Sequence, residues 1–464
     1  MQQAKDVRIA YIGGGSRGWA WGLMTDIALD PVLAGEVRLY DIDRDAAEKN
    51  QKIGELISSH PKAVSHWRYT VADSLQAALT GADFVIISIL PATFDEMESD
   101  VHAPEAVGVY QSVGDTVGPG GFMRALRTIP MFEEIARAIR AYAPDAWVIN
   151  YTNPMSLCVA TLYRVFPEIR AFGCCHEVFG TQKLLSAMLE DMEGIPAVPR
   201  QEIRVTVQGI NHFTWFSKAS YEGQDLFPVY RAFCEKYAAT GFLKGQDDNW
   251  MNNYFACSHR VKMDLFLKYG KIAAAGDRHL AEFMPPWYLR DPETARSWGF
   301  SLTPVSWRKQ DLQNRLARRE RLLSGQEDPD FKGSDEEGHL MLGALLGLGD
   351  MTTNVNIPNR GQIPNLPLGA IVETNALFRA GEIAPVYAGP MDGNIQALTA
   401  RHVLNQQNTL QAALTCDRGL ALTTFMNDPL MSRVDWADGE RLFDRMLAAQ
   451  RAYLPAGWFS RAAD

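Results

Sequence analysis

A glycine-rich turn near the start of the chain has the residue types and spacing of a dinucleotide-binding site. Residues 9–18, IAYIGGGSRG, lie between a strand-like and a helix-like segment, and three of the glycines follow the G-x-G-x-x-G spacing. Small residues there permit a tight turn and let a pyrophosphate approach the N-terminus of the following helix, whose free N–H groups attract anions. The residues predicted to bind the cofactor at this turn are Gly13, Gly14, Gly15, Ser16 and Arg17.

An acidic residue at the end of the second predicted strand supports this interpretation. Asp41 follows Gly15 by 26 positions, where a carboxylate can bind the hydroxyls of an adenosine ribose and disfavours the extra phosphate of NADP. The predicted cofactor is therefore NAD. In the alternative, Asp41 caps the helix that starts near Arg44, although Asp43 is better placed for that role.

Polar residues also follow a later buried strand. The segment Asn150–Pro154, NYTNP, lies at the C-terminal end of that strand, where open α/β sheets bind their ligands. Asn153 is therefore a candidate for substrate binding, and the alternative is a simple Asn-Pro turn.

Two segments carry thiol and imidazole groups, which suit a borderline divalent metal. GCCHE spans 173–177 and GINHF spans 209–213, so Cys175 and His212 are 37 residues apart and no short metal-ligand spacing joins them. From spacing alone, buried residues satisfied by hydrogen bonds are the commoner outcome. A third segment, GDRHLAEF over 276–283, is either an acid–base site or a salt-bridged surface turn, and its composition favours the turn.

The elements that must position these residues alternate between strand and helix patterns over the first 150 residues. Strands are predicted over 7–12, 37–40, 84–90 and 147–150, and helices over 19–29, 44–59 and 126–142. Repeated units of this length imply parallel pairing with right-handed crossovers. The predicted fold class is α/β, with a Rossmann-like doubly wound parallel sheet.

From about residue 200 the pattern changes to a mixed α+β one. Antiparallel strands are predicted over 202–209 and 212–220, helices over 307–323 and 394–416, a mobile surface loop over 324–337 and irregular backbone over 354–369. The predicted domains are an NAD-binding domain over 1–200 and an α+β domain over 201–464 that contributes to substrate binding, metal binding and oligomer contacts.

Composition excludes several classes of partner. The chain has 464 residues with 45 Lys and Arg against 55 Asp and Glu, so a net charge of −10 disfavours nucleic acid and anionic membranes. No apolar run approaches the roughly 18 to 20 residues that cross a bilayer, and the N-terminus lacks a signal-peptide pattern. Six scattered cysteines do not form a disulfide framework. A cytoplasmic protein is predicted.

Together these segments resemble glycoside hydrolase family 4, whose members are glycosidases that depend on NAD and a divalent metal. The resemblance covers most of the chain and rests on ordered blocks: IAYIGGGSRGWA, LYDIDRDAAEKN, GDTVGPGGFMRALRTIP, NYTNP, GCCHE, GINHFTW, GDRHLAEF and NVNIPNRGQIPNLPLGAIVE. The first two blocks look most like the α-galacturonidase branch, which removes terminal galacturonic acid from oligogalacturonides. The resemblance also implies an architecture like that of lactate and malate dehydrogenases, and a homodimer or homotetramer.

The resemblance implies roles for individual residues. In the family a cysteine and a histidine bind the metal, usually manganese, and the matching positions are Cys175 and His212. Asn153 matches a residue that holds the sugar, and Asp277 matches the proposed general base. Some phospho-glycosidases have an acid after the metal cysteine as the proposed general acid, whereas this chain has His176 at that position.

The implied mechanism causes no net oxidation or reduction of the sugar or of NAD. NAD⁺ accepts hydride from C3 of the sugar, the metal stabilises the enolate, Asp277 removes the C2 proton, the aglycone leaves C1, water adds and the hydride returns. The family is a recognised exception to the paired-carboxylate scheme of glycoside hydrolysis.

A galacturonide carries a carboxylate that needs a cationic partner. The candidates are Arg124, Arg278, Arg360 and Arg17, each of which could instead be solvated or paired with a nearby acid. The alternatives for function are an α-glucosidase or α-galactosidase of the same family, an NAD-dependent 2-hydroxy-acid dehydrogenase, and a non-catalytic NAD-binding sensor.

Overall fold

The structure is a computed structural model and describes residues 3–196, 198–243, 254, 256–334 and 336–460. The strands are β1 (Ala4–Ile12), β2 (Leu33–Tyr40), β3 (Trp67–Val71), β4 (Phe84–Ile87), β5 (Trp147–Asn150), β6 (Arg170–Gly173), β7 (Arg204–Ile210), β8 (Phe213–Tyr221), β9 (Gln224–Asp225), β10 (Ile272–Ala273), β11 (Met351–Pro358), β12 (Ile371–Arg379) and β13 (Glu382–Pro385).

The described α-helices are α1 (Trp19–Ala28), α2 (Arg44–Ser59), α3 (Leu75–Leu79), α4 (Phe94–His102), α5 (Gly118–Tyr142), α6 (Met155–Val165), α7 (Glu177–Glu193), α8 (Phe227–Tyr237), α9 (Arg260–Tyr269), α10 (Asp277–Phe283), α11 (Pro292–Ser297), α12 (Val305–Leu323), α13 (Gly338–Leu345), α14 (Gly393–Thr415), α15 (Arg418–Met426) and α16 (Trp436–Ala449). Short 3₁₀ helices cover Ala103–Val107, Arg200–Glu202, Pro429–Arg433, Arg451–Tyr453 and Ala456–Phe459.

The first six strands form a parallel sheet in the order β3-β2-β1-β4-β5-β6, which is the strand order of the Rossmann fold. Alternate side chains of β1 enter different cores: Ile9 and Tyr11 pack with α1 and α2, whereas Ala10 and Ile12 pack with α5 and α6. Helices therefore cover both faces of the sheet. The predicted α/β class and doubly wound sheet are confirmed.

Helix α5 begins eight residues earlier than the predicted helix over 126–142. Its first turn is the glycine-rich run that starts at Gly118, and Pro119 occupies an N-terminal position where its missing N–H costs nothing. Because glycine and proline usually mark turns, the pattern concealed this start. The longer helix begins close to the polar residues described below.

The second half of the chain adds strands to the first sheet and also forms a second sheet. Strands β7 and β8 pair antiparallel, as predicted, and β10 pairs with β8. Strands β11, β12 and β13 extend the first sheet beyond β6, with Asn356 paired antiparallel to Gly173. The domain division at residue 200 stays a prediction, since three strands after that residue complete the sheet that begins before it.

Two expectations for the second half are corrected. The prediction of irregular backbone over 354–369 is wrong for 354–358, which belongs to β11. Two buried asparagines in this strand, Asn354 and Asn356, gave it a polar pattern, and the Asn354 amide donates to the buried Glu373 carboxylate at 2.6 Å. The surface loop predicted over 324–337 ends in the interior, where buried Glu337 lies 2.7 Å from Arg200. Across the described ranges, no helix combines the length and apolar character that a membrane span requires.

Candidate active site

The glycine-rich turn follows β1 directly and leads into α1. Gly13 has a φ of 93°, and a side chain at this position would place its Cβ atom 2.0 Å from the Ser88 carbonyl oxygen. A Cβ atom on Gly15 lies 2.7 Å from the Cβ of Ala46, which belongs to α2. Only glycine fits at these two positions, as in the close-packed turn between strand and helix of a dinucleotide site.

Asp41 and Asp43 take different roles beside this turn. Asp41 accepts hydrogen bonds from the backbone N–H groups of Gly15 (2.8 Å) and Asp43 (2.9 Å). Asp43 accepts from Ala46 at 3.1 Å and is the residue that caps α2. Arg17 pairs with Asp43 at 3.0 Å, which places its guanidinium at the Asp41 end of the turn. The ribose-binding role of Asp41 stays a proposal, and capping does not compete with it.

Replacing Gly15 with Val is expected to weaken NAD⁺ binding by about 100-fold, or roughly 2.7 kcal/mol, because the new side chain meets Ala46 and the Asp41 carboxylate. Titration of purified protein with NAD⁺ by calorimetry measures the change. The control is Gly343→Ala in α13, where an added Cβ meets no atom within 4 Å. Unchanged affinity in the Gly15 variant would remove the turn from the cofactor site.

Beyond the C-terminal ends of the parallel strands, three polar side chains converge. Asp115, His212 and His279 each offer a ligand atom, and these atoms all lie within 4.8 Å of one another. The two imidazole rings stack with centroids 3.7 Å apart, and the Asn153 amide donates to the Asp115 carboxylate at 3.2 Å. The predicted residues Asn153 and His212 are thus brought together. Sequence reasoning missed the site roles of Asp115 and His279, although the GDTVGPGG and GDRH blocks contain them.

The pKa values of the residues in this cluster depend on their burial and on the charges of their neighbours. Burial raises the pKa of the Asp115 carboxyl, but the charges of His279 and His212 outweigh this and hold it below its usual range. Burial lowers the pKa of His212 to about 3. Glu177, a further missed residue, has a pKa of about 2 because the neighbouring histidines outweigh its burial. At neutral pH the acids are charged and His212 is neutral.

The predicted Cys175 and His176 lie next to this cluster in different surroundings. The Cys175 thiol lies close to the Asn211 side chain, and burial raises the pKa of the thiol well above its usual value. In the described part of the chain, Cys175 belongs to no group of three potential ligands, so its metal role stays a prediction. The His176 ring is half exposed, with Nδ1 2.9 Å from Glu336 Oε1.

Asp277 is completely buried at the start of α10. Its carboxylate accepts the backbone N–H groups of Val261 and Lys262, both at 3.1 Å, and burial raises its pKa to about 6. With Cys257 and His259 it makes a second group of potential ligand atoms within 4.8 Å. The prediction of a salt-bridged surface turn at GDRHLAEF is therefore wrong. The apolar residues of α10 pack into the largest core, and the acidic residues of the same helix are buried with them.

The structure separates the four arginine candidates. Arg124 and Arg278 are buried beside the cluster: Arg124 donates to the Asn153 carbonyl at 3.0 Å, and Arg278 donates to the Ser112 carbonyl at 2.6 Å. Arg360 is exposed, and Arg17 lies at the Asp41 end.

A further guanidinium, Arg308 of α12, interacts electrostatically with Asp115. Burial lowers the pKa of Arg278 to about 10, and the charge of Arg308 adds to that effect. Sequence reasoning missed Arg308 because it lies in a helix crowded with charged residues.

Two observations test whether these residues fit a cofactor and a metal. The turn between β1 and α1 admits no side chain at Gly13 or Gly15, as the close-packed turn of a dinucleotide site requires. In the cluster, His279 Nδ1 is buried without a hydrogen-bond partner, and two imidazoles with a carboxylate suit a divalent cation. Both groups fit.

Comparisons with known proteins find similar chains over nearly the whole length of this one. An alpha-galacturonidase of Thermoanaerobacterium saccharolyticum is 59% identical over 458 residues, which are 98% of this chain and 98% of that protein. The crystal structure of lplD from Bacillus subtilis has a TM-score of 0.91 and 52% identity, covering 96% of this chain and 100% of that one. A Thermotoga maritima 6-phospho-beta-glucosidase, solved with manganese, NAD⁺ and glucose-6-phosphate, shares the fold, with a TM-score of 0.75, 21% identity and coverage of 97% and 99%.

Family models cover most of the chain in two parts. Residues 8–191 match the model described as family 4 glycosyl hydrolase, and residues 207–431 match the model of its C-terminal domain. The match includes the glycine turn, the Asp115 cluster and α10. This chain belongs to the family 4 glycosyl hydrolases.

Proposed function

We propose that this chain is an α-galacturonidase that hydrolyses terminal α-galacturonides with NAD and Mn²⁺ as cofactors. The observation that carries the proposal is identity of more than half of the residues, over nearly the whole chain, to relatives named alpha-galacturonidase. Buried arginines beside the Asp115 cluster add support, since an acidic sugar needs local positive charge in a chain whose net charge is −10.

NAD⁺ and the metal supply one part of the chemistry, and residues of the chain hold them in place. When bound, NAD⁺ supplies a hydride acceptor and a divalent metal supplies Lewis acidity toward the sugar oxygens. Gly13, Gly15 and Asp41 hold the dinucleotide, and His212 holds the metal together with the predicted ligand Cys175.

The chain's other residues position the sugar and move protons. The Asn153 amide donates to the Asp115 carboxylate, and its backbone carbonyl accepts from Arg124. Its buried side-chain oxygen has no hydrogen-bond partner among the described residues and is available to a sugar hydroxyl. Asp277 takes the C2 proton, which requires its ionised form. His176, at the half-exposed side, protonates the leaving oxygen, and Glu336 orients its ring.

The carboxylate of galacturonic acid distinguishes this substrate from a neutral galactoside. Arg278 is fixed by the Ser112 carbonyl and the Thr303 hydroxyl, and Arg124 is fixed by the Asn153 carbonyl. Guanidinium groups held in this way are pre-organised for a carboxylate, and Arg308 adds a third positive charge nearby. We assign recognition of the carboxylate to this group of arginines.

A substrate panel tests the proposal. With Mn²⁺, NAD⁺ and a thiol reductant, kcat/KM for an α-galacturonide is expected to exceed that for the matching α-galactoside by about 100-fold or more, because the galactoside lacks the carboxylate that the buried arginines are proposed to bind. A substrate deuterated at C2 is expected to lose its label to solvent, and removal of the metal by chelation is expected to abolish turnover.

The panel also separates the alternatives. Preference for an α-glucoside or α-galactoside would move the chain to another branch of the family. Stoichiometric NADH release from a 2-hydroxy acid would indicate a dehydrogenase, and cleavage of no glycoside would indicate a sensor. Cleavage that persists without metal and NAD⁺, with the C2 label retained, would contradict the mechanism.

We further propose a cytoplasmic location and a homodimer or homotetramer. The location is supported by the absence of disulfides among six free cysteines and by the NAD requirement. The oligomer rests on the family resemblance alone, and sedimentation of the purified chain tests it.

A further inference from the structure

We propose that Asp115 and His279 are ligands of the divalent metal together with His212. The inference rests on the proposed function for the presence of the metal, but the assignment of ligands comes from the geometry of the cluster. The three ligand atoms lie within 4.8 Å of one another, close enough for a single cation to contact all of them after a small adjustment.

The hydrogen bonds around His212 leave one of its ring nitrogens available. Thr116 Oγ1 lies 2.6 Å from Asp115 Oδ1 and 2.8 Å from His212 Nδ1. A charged carboxylate can only accept, so the Thr116 hydroxyl donates to Asp115 and accepts from His212 Nδ1–H. The lone pair of His212 is therefore on Nε2. A second residue that sets the tautomer of a ligating histidine is the usual arrangement around protein-bound metals.

A carboxylate favours one tautomer of His279 through its charge, without a hydrogen bond. His279 Nε2 lies 3.8 Å from Glu177 Oε1, and Glu177 is itself fixed by the Gly276 N–H at 2.5 Å. A proton on Nε2 faces this carboxylate and leaves the lone pair on Nδ1. That atom is buried and has no hydrogen-bond partner. A buried acceptor with no donor is costly, and a cation removes the cost.

The stacked rings give an independent argument. The two rings stack with a centroid separation of 3.7 Å, so the imidazoles lie side by side where a single cation can contact one nitrogen of each. Metal ligation requires neutral rings with lone pairs, and Asp115 supplies the negative charge that a divalent cation needs. The cluster therefore supplies three donors for one cation.

The second group of potential ligands is less suitable for a cation. Asp277 there already accepts two backbone N–H groups, and Lys262 places an ammonium close to it: its Nζ is 2.8 Å from Thr181 Oγ1 in the same interior. A fixed positive charge opposes a divalent ion at short range. The Cys175 thiol lies close to Asn211, the neighbour of His212, and stays the predicted further ligand.

Metal binding by single variants tests the assignment without relying on turnover. We expect His279→Gln and Asp115→Asn to weaken Mn²⁺ binding by about 10- to 100-fold or more, measured by calorimetry and by the electron paramagnetic resonance signal of free Mn²⁺ in the full chain. The matched control is His259→Gln, from the second group, which is expected to bind Mn²⁺ like the wild type. NAD⁺ affinity and circular dichroism verify that each variant is folded.

The outcomes separate this inference from the proposed function. Wild-type Mn²⁺ affinity in both the His279 and Asp115 variants would overturn the ligand assignment, as would a loss confined to the His259 variant. If the variants lose Mn²⁺ while the wild type cleaves no galacturonide, the proposed substrate is wrong and the ligand assignment stands. If the wild type cleaves galacturonides and these variants keep the metal, only the ligand assignment fails.

Discussion

Replacing Asp277 with Asn is expected to lower kcat for galacturonide cleavage by about 10²- to 10⁴-fold, the range for loss of a general base. The carboxylate is buried, and Asn keeps its size and one acceptor for the backbone N–H groups of Val261 and Lys262. The amide cannot accept the C2 proton. Loss of label from a C2-deuterated substrate is therefore expected to slow in parallel with kcat.

The pH dependence of the wild type follows from the same residue. The base acts only when ionised, and burial raises its pKa to about 6, so kcat/KM is expected to fall as the pH drops through about 6. In the Asn variant this acidic limb is expected to disappear from the residual activity. An unchanged limb, or a wild-type rate of label loss, would show that another residue is the base.

Asp428 provides a matched control for Asp277. It is also a buried acid with a pKa that burial raises to about 6, and it also accepts two backbone N–H groups, from Gly118 and Leu430. Asp428→Asn is expected to change stability without removing the acidic limb. A thermal unfolding midpoint for both variants separates loss of the base from loss of the fold.

The second large effect concerns stability. Asp100→Ala is expected to lower the free energy of unfolding by about 3 to 5 kcal/mol, because it leaves Arg127 as an unpaired buried charge. Both side chains are 0% exposed, and Arg127 contacts the carboxylate through two nitrogens, at 2.6 and 3.1 Å. The pair connects α4 to α5 one turn from Arg124. Urea denaturation at neutral pH measures the change.

Two further variants make this result interpretable. Glu382→Ala breaks an exposed pair with Arg379, both about half exposed, and is expected to cost less than about 1 kcal/mol. The double variant Asp100→Leu with Arg127→Met removes both charges and is expected to recover most of the loss. A cost below about 1 kcal/mol for Asp100→Ala alone would mean that water or a neighbour such as Gln450 compensates the arginine.

Local patterns predicted the elements well where one period dominated. The apolar run at β4 is buried throughout, and the stripe of α2 faces the core, as its sequence predicts. The sequence patterns predicted the wrong environment where polar residues are buried in the protein interior. Strand β11 carries two buried asparagines, of which Asn354 bonds to Glu373, and α10 buries its acids. The polar residues of both elements therefore predicted an exposed structure.

The sequence by itself determined the parallel sheet, the glycine turn and the position of Asp41, because each depends on residues close in the chain or on a repeated period. It also identified His212 and Asn153 through the family blocks. Only the tertiary structure decided that Asp115 and His279 meet His212, since these residues are far apart in sequence and belong to different elements. No local period encodes such an approach. It follows from the packing of α5, β8 and α10 around one core, which also determines which arginines face the cluster and which histidine nitrogens keep a lone pair.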